Sequence, residues 1–126
     1  MKTNIQDIIL EFDEKSLGDS SFRDTLVERL QNGTWEHEEA SYLSLLDSNS
    51  TVLELGACIG FISCLTNSNL SDKTKHVVLE ANPNLIKILE NNKKLNNCDF
   101  TIQNKILHNN NGLIDFKVDS RSILGS

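Results

Sequence analysis

The stretch TVLELGACIG, residues 51–60, followed at residues 76–80 by HVVLE, decides how this chain is read. Val52, Leu53 and Leu55 form an apolar run of strand length that stops at Gly56, which predicts a short buried strand over residues 51–55. Gly56 opens a tight turn and Gly60 closes it. With no Cβ at either position, the backbone turns sharply, comes close to a ligand and lets the next helix pack on the strand. That helix is expected over residues 59–70, its first amides aimed at whatever sits above the strand ends.

Val77, Val78 and Leu79 form the apolar body of a second strand. A right-handed crossover makes the two strands parallel and brings Glu80 to the same sheet edge as the glycine turn. A carboxylate there can accept hydrogen bonds from both hydroxyls of a ribose, and it stands at about the 20-residue separation from the turn that such a site needs. The glycine spacing narrows the ligand. A dinucleotide fingerprint needs a middle glycine to admit a pyrophosphate, but Gly56-Ala57-Cys58-Ile59-Gly60 keeps only the outer pair, which disfavours NAD or FAD. No Lys-Ser or Lys-Thr follows Gly60, so a P-loop is excluded.

Outward from this centre, Ser20 or Ser21 caps a helix running to about Leu30, with Leu26, Val27 and Leu30 on one side and Gly33 past its end. A second helix is expected over residues 37–46, with Tyr42, Leu43, Leu45 and Leu46 as its apolar side. Asn82 as N-cap and Pro83 at the first helical position start a helix whose Leu85, Ile86, Ile88, Leu89 and Leu95 cover the sheet. Phe100, Ile102 and Asn104 alternate with Thr101 and Gln103 in a third strand, Asn110-Asn111-Gly112 makes a turn, and residues 113–118 make a fourth strand. The layout is a single, incomplete domain over residues 1–126, with an N-terminal helical segment over 1–48 and a β-α-β-α-β half over 49–126.

The arrangement Glu54-x-Gly56-x-x-x-Gly60 resembles motif I of the class I S-adenosylmethionine-dependent methyltransferases. Gly33-Thr34-Trp35-Glu36, VLELGACIGFIS, VVLEANPNLIKILENNKKLNN and FTIQNKILHNNNGLIDFKV are similar in order and spacing to the FkbM family of those enzymes, over most of the chain from Gly33 to Val118. The resemblance implies a Rossmann-like α/β fold, a mostly parallel sheet with flanking helices. It implies S-adenosyl-L-methionine as cofactor, held by Glu54, Gly56, Ala57, Cys58, Ile59, Gly60, Glu80, Ala81, Asn82 and Asn104. It also implies transfer of a methyl group to oxygen on a sugar, glycan or small metabolite. Cys58 departs from the family, which usually has Asn or Gly there. A second departure is that the later strand ending in an Asp-x-Glu-Gly type turn, and the strands after it, do not follow Val118. The Ser/Gly stretch up to Ser126 reads as mid-loop, so a fragment, split gene product or truncated copy is expected, with the acceptor site and any base outside it.

Each residue also has a plainer reading. Gly56 and Gly60 mark a strand-to-helix turn in any α/β protein, Glu80 is a solvated strand-end acid, and Glu54 braces the turn. Cys58 is a small turn residue rather than a nucleophile. Trp35 either covers the cofactor edge with Glu36 or anchors the amino-terminal helices, and Asn104 either approaches an adenine or satisfies a turn. His37, His76 and His108 sit near expected element ends and read as solvated. The fifteen asparagines read as compositional drift at helix ends and turns, where Asn is tolerated.

A net charge of −6 opposes unassisted binding to nucleic acid or to an anionic membrane surface. No apolar segment approaches the roughly 20 residues that span a bilayer, and the N-terminal residues lack a secretory pattern. Cys58, Cys64 and Cys98 have no metal-ligand spacing, so no metal is expected and a reducing cytoplasm fits best. Two other functions stay open. One is a non-catalytic remnant or assembly module whose open sheet edge is covered by a second copy or a partner chain. The other is a nucleotide or NAD-binding domain.

Overall fold

The computed structural model describes residues 1–18 and 21–109. The chain is mixed α/β, with a three-stranded parallel sheet flanked by helices and a separate two-stranded hairpin. The fourth strand expected at 113–118 lies outside the described residues.

The parallel sheet is β3 (Val52–Leu55), β4 (His76–Leu79) and β5 (Thr101–Gln103), in that order. Val52 stands opposite His76 and Leu55 opposite Leu79; Val78 in turn stands opposite Ile102. Two helices connect the strands. The first, α3 (Phe61–Asn69), begins two residues later than the glycine spacing predicts, because Ile59 is still part of the turn and is fully buried. The second, α4 (Ile86–Leu95), follows a 3-10 turn at Pro83–Leu85 that Asn82 caps, its Oδ1 accepting the Asn84 amide at 3.0 Å.

α3 and α4 pack side by side, with the Cys64 thiol 3.6 Å from the Asn92 carbonyl. Their common face takes Glu54, His76 and Val78 from the strands, while Leu53 and Leu55 point the other way and are 58% and 55% exposed. Among the described residues, helices therefore cover one face of the parallel sheet, and β3 is exposed on the other.

Residues 2–11 overturn the expected N-terminal helical segment over 1–48. They form an antiparallel hairpin, β1 (Lys2–Ile5) and β2 (Ile8–Glu11), turned by Gln6 and Asp7 at φ 51° and 67°. Two consecutive left-handed residues are what a two-residue hairpin turn of matching twist requires, and Gln-Asp is a weak signal for it beside Asn-Gly. Ile5, Ile8 and Leu10 face inward, and the hairpin lies against α3 and α4 on their side away from the sheet. This second cover explains why most of α3, polar residues included, is buried.

Helices do follow, as α1 (Ser21–Asn32) and α2 (His37–Tyr42), but α2 ends early and passes into a 3-10 turn at Leu43–Leu45. Tyr42 and Leu45, expected on an inward apolar side, are 70% and 82% exposed.

Asparagines tie these layers together, which corrects their reading as drift. The Asn92 amide is fully buried: its Oδ1 accepts the Glu11 amide at 2.9 Å, and its Nδ2 donates to the Ile59 carbonyl at 2.7 Å. Asn96 meets both backbone groups of Ile9 at 2.7 Å, as a neighbouring strand would. Asn67 donates to the Lys73 carbonyl and accepts the Asp99 amide. Each supplies both a donor and an acceptor to backbone that the hairpin and loops leave unpaired.

Candidate functional site

The glycine turn joins β3 to α3 through three left-handed residues, Gly56, Cys58 and Gly60, at φ 79°, 54° and 98°. Gly56 donates its amide to the Leu79 carbonyl at 2.8 Å, which extends the β3–β4 ladder by one bond, and open space lies where its Cβ would be. At Gly60 a Cβ would come within 2.8 Å of Leu89 Cδ1, so this glycine lets α4 close on the turn. Cys58 occupies a conformation that Gly and Asn adopt with least strain, the two residues the resembled family favours there. Burial first, and then the Glu36 charge, push its thiol up, so it stays protonated and unreactive.

Glu80 is 4% exposed and is not a solvated acid. Oε1 accepts the Cys58 amide and Oε2 the Asn82 amide, each at 2.8 Å, so one carboxylate fastens the glycine turn to the Asn-Pro turn. Each oxygen keeps a second lone pair for a further donor. The Asn104 amide donates to the carbonyls of Glu80 and Ala81 at 2.8 and 3.0 Å, fixing the same corner from β5's end.

Glu54 turns into the protein. Its carboxylate accepts from Ser63 Oγ at 2.6 Å and meets His76 Nε2 at 3.1 Å, while His76 Nδ1 lies 3.2 Å from Asn67 Nδ2. His76 is fully buried, against the expectation that it is solvated; only its place on an inward position of β4 could have told. His37 is exposed, with Nδ1 3.0 Å from the Thr34 carbonyl, and His108 is exposed.

Two cavities meet at Gly56. One, of about 280 Å³, is bounded by Leu55, Gly56, Leu79, Glu80, Ala81 and the segment from Lys105 to Leu107. The other, of about 590 Å³, lies between α1, the Thr34–Glu39 segment and the turn, with Arg29, Trp35, Glu36 and Cys58 among its walls. Of the residues expected to hold a cofactor, Gly56, Cys58, Glu80 and Ala81 border these spaces. Ala57 and Ile59 face the core, and Gly60, Glu54, Asn82 and Asn104 support the turns from behind. Arg29 and Lys105–Leu107 carry no pattern that marks them in the sequence.

Trp35 is 7% exposed, yet its indole Nε1 has no hydrogen-bond partner. A buried donor without an acceptor is unfavourable by about 1–3 kcal/mol unless a ligand supplies one. Glu36 stands beside it, held in the left-handed region at φ 50°. Desolvation raises its carboxyl to about 7, helped by Glu39 and Glu54, while the nearby Trp35 indole pulls it down slightly without closing a bond. The second cavity thus offers Arg29 and an acid that ionises near neutrality.

Among the described residues no cluster of His, Cys, Asp or Glu is placed to hold a metal ion, and no helix is long and apolar enough to cross a membrane. No family model, curated protein or solved structure matches the chain.

Proposed function

We propose that this chain is the cofactor-binding half of an S-adenosylmethionine-dependent methyltransferase of the FkbM type, directed at a hydroxyl of a sugar, glycan or small metabolite. The observation that carries the reading is Gly56, which borders both cavities and lacks the side chain that would divide them. An elongated ligand with a nucleoside at one end and an amino acid at the other suits that space. Leu55, Leu79, Ile106 and Leu107 give the smaller cavity an apolar wall for a purine, and Glu80 keeps lone pairs for ribose hydroxyls. In the larger cavity Arg29 suits a carboxylate, and Glu36 suits an ammonium group. When bound, the cofactor supplies an electrophilic methyl group on sulfur. The chain's own residues orient it, and orientation carries much of the rate in such a transfer.

Calorimetric titration with S-adenosylhomocysteine, with NAD as control, tests the reading. Saturable binding to the first and none to the second is expected. Glu80→Ala is a poor probe, since it also releases the Cys58 and Asn82 amides. Arg29→Ala is the better one. Arg29 is exposed on the wall of the larger cavity, so stability should stay within about 1 kcal/mol of wild type while affinity falls about tenfold. Absence of binding by the folded chain, or tighter binding of NAD, contradicts the proposal.

A second reading has its own support in the bare side of β3, where Leu53 and Leu55 are exposed. Parallel sheets bury both faces, so an assembly module that docks this face on a second chain is the alternative.

A further inference from the structure

Cys64 and Cys98 come from α3 and from the loop before β5, 34 residues apart, and the Cys98 side chain lies against Cys64. The Cys98 thiol lies 3.8 Å from the Cys64 carbonyl, and both sulfurs flank Asn96, whose Nδ2 is 3.6 Å from the Cys64 sulfur and whose carbonyl is 3.7 Å from the Cys98 sulfur. Cys64 is fully buried; its sulfur donates to the Asn92 carbonyl and accepts from the Asn96 amide, both at 3.6 Å. Cys98 is half-buried and open to small solutes.

We propose that Cys98 and Cys64 form an oxidisable dithiol, in which a hydroperoxide oxidises Cys98 and Cys64 then closes an intramolecular disulfide. In the first step the Cys98 sulfur attacks a peroxide oxygen. The O–O bond breaks, the departing oxygen leaves with the electron pair and takes up a proton, and Cys98 becomes a sulfenic acid. In the second, the Cys64 sulfur attacks the Cys98 sulfur, the S–O bond breaks, and the hydroxyl leaves as water with the Cys64 proton. Two thiols and one hydroperoxide give one disulfide, one alcohol and one water.

The surroundings divide the roles. Cys98 is the attacking sulfur because it is half-buried while Cys64 is fully enclosed, and the Cys64 thiol, joined by the charges of Lys73 and Lys93, also lowers its pKa. The contact with Cys98 and then burial push Cys64 up, so it waits as a thiol until Cys98 is oxidised. Cys58 is also buried, with its thiol pushed up, and serves as an internal control. The bond would pin α3 to the loop before β5 and replace the sulfur contact with Asn92, whose amide holds the Ile59 carbonyl of the glycine turn.

The test is to treat the full chain with hydrogen peroxide, alkylate the remaining thiols under denaturing conditions and map the peptides. A Cys64–Cys98 crosslink within one chain, reversed by dithiothreitol, is expected, with Cys58 alkylated and the thermal midpoint of the oxidised chain raised by several degrees. In Cys64→Ser, Cys98 should accumulate as a sulfenic acid that dimedone captures. The proposal is overturned if wild-type Cys98 passes to sulfinic acid while Cys64 stays alkylatable, if Cys98 oxidises no faster than Cys58, or if the crosslinks join separate chains. The wild-type map decides this even if the variant does not fold.

Discussion

Asn92 shows what a single buried polar residue does in this chain. One amide group pairs with the Glu11 amide of the hairpin and with the Ile59 carbonyl of the glycine turn, at 2.9 and 2.7 Å. Asn92→Ala leaves the buried Ile59 carbonyl and the half-buried Glu11 amide unpaired, and unfolding in urea should show a loss of about 2–4 kcal/mol. A loss below about 1 kcal/mol would mean that water replaces the amide and that the hairpin is not held through it. Gly60 is bound to its position by a different force. Its φ of 98° strains any side chain there, and a Cβ would come within 2.8 Å of Leu89 Cδ1 and push that side chain aside, so its role is in packing α4 on the turn. Glu80 likewise serves the loops through both oxygens, so any hydrogen bond to a ribose is added to a structural duty.

At the scale of elements, the link between α1 and α2 carries a pH dependence. The Glu36 carboxyl ionises at about 7 in the fold against 4.5 ordinarily, because burial, Glu39 and Glu54 disfavour its charge. The folded state therefore binds this proton more tightly than the unfolded state. The resulting stabilisation is complete below pH 4.5 and is lost as the pH rises through 7. Glu36→Gln should flatten that part of the stability profile and, at pH 8, exceed wild type by about 1–2 kcal/mol in urea unfolding. An unchanged profile would place the Glu36 carboxyl in water.

The elements differ in how far the sequence announced them. β3, β4 and α4 were legible because apolar runs of strand length end at Gly56 and Glu80, and Asn82-Pro83 is a strong helix start. The hairpin was not, since Gln6-Asp7 lacks glycine and its strands are four residues each. Around the site, the turn and its strand-end acid could be read locally. The Glu54–His76 contact, the Asn92 ties and the unpaired Trp35 indole depend on which residues distant in sequence become neighbours.

Among the described residues, helices and hairpin stack on one side of the sheet, and Leu53 and Leu55 are exposed on the other. Those two leucines contribute little to stability in this chain alone. Replacing both with Lys should change its unfolding free energy by less than about 1 kcal/mol, while any self-association seen by sedimentation should fall. A large loss of stability would show that the face is already covered. At the C-terminal end of the strands both cavities meet at Gly56, with Leu55 in the wall of the smaller one. The chain has one tryptophan, so its indole N–H gives a single, assignable NMR signal. Titration of the labelled chain with S-adenosylhomocysteine should move that signal saturably, together with the amides of Gly56, Glu36, Ala81 and Leu107. A folded chain in which the indole signal and these amides stay fixed, or in which shifts cluster away from the glycine turn, would contradict the account.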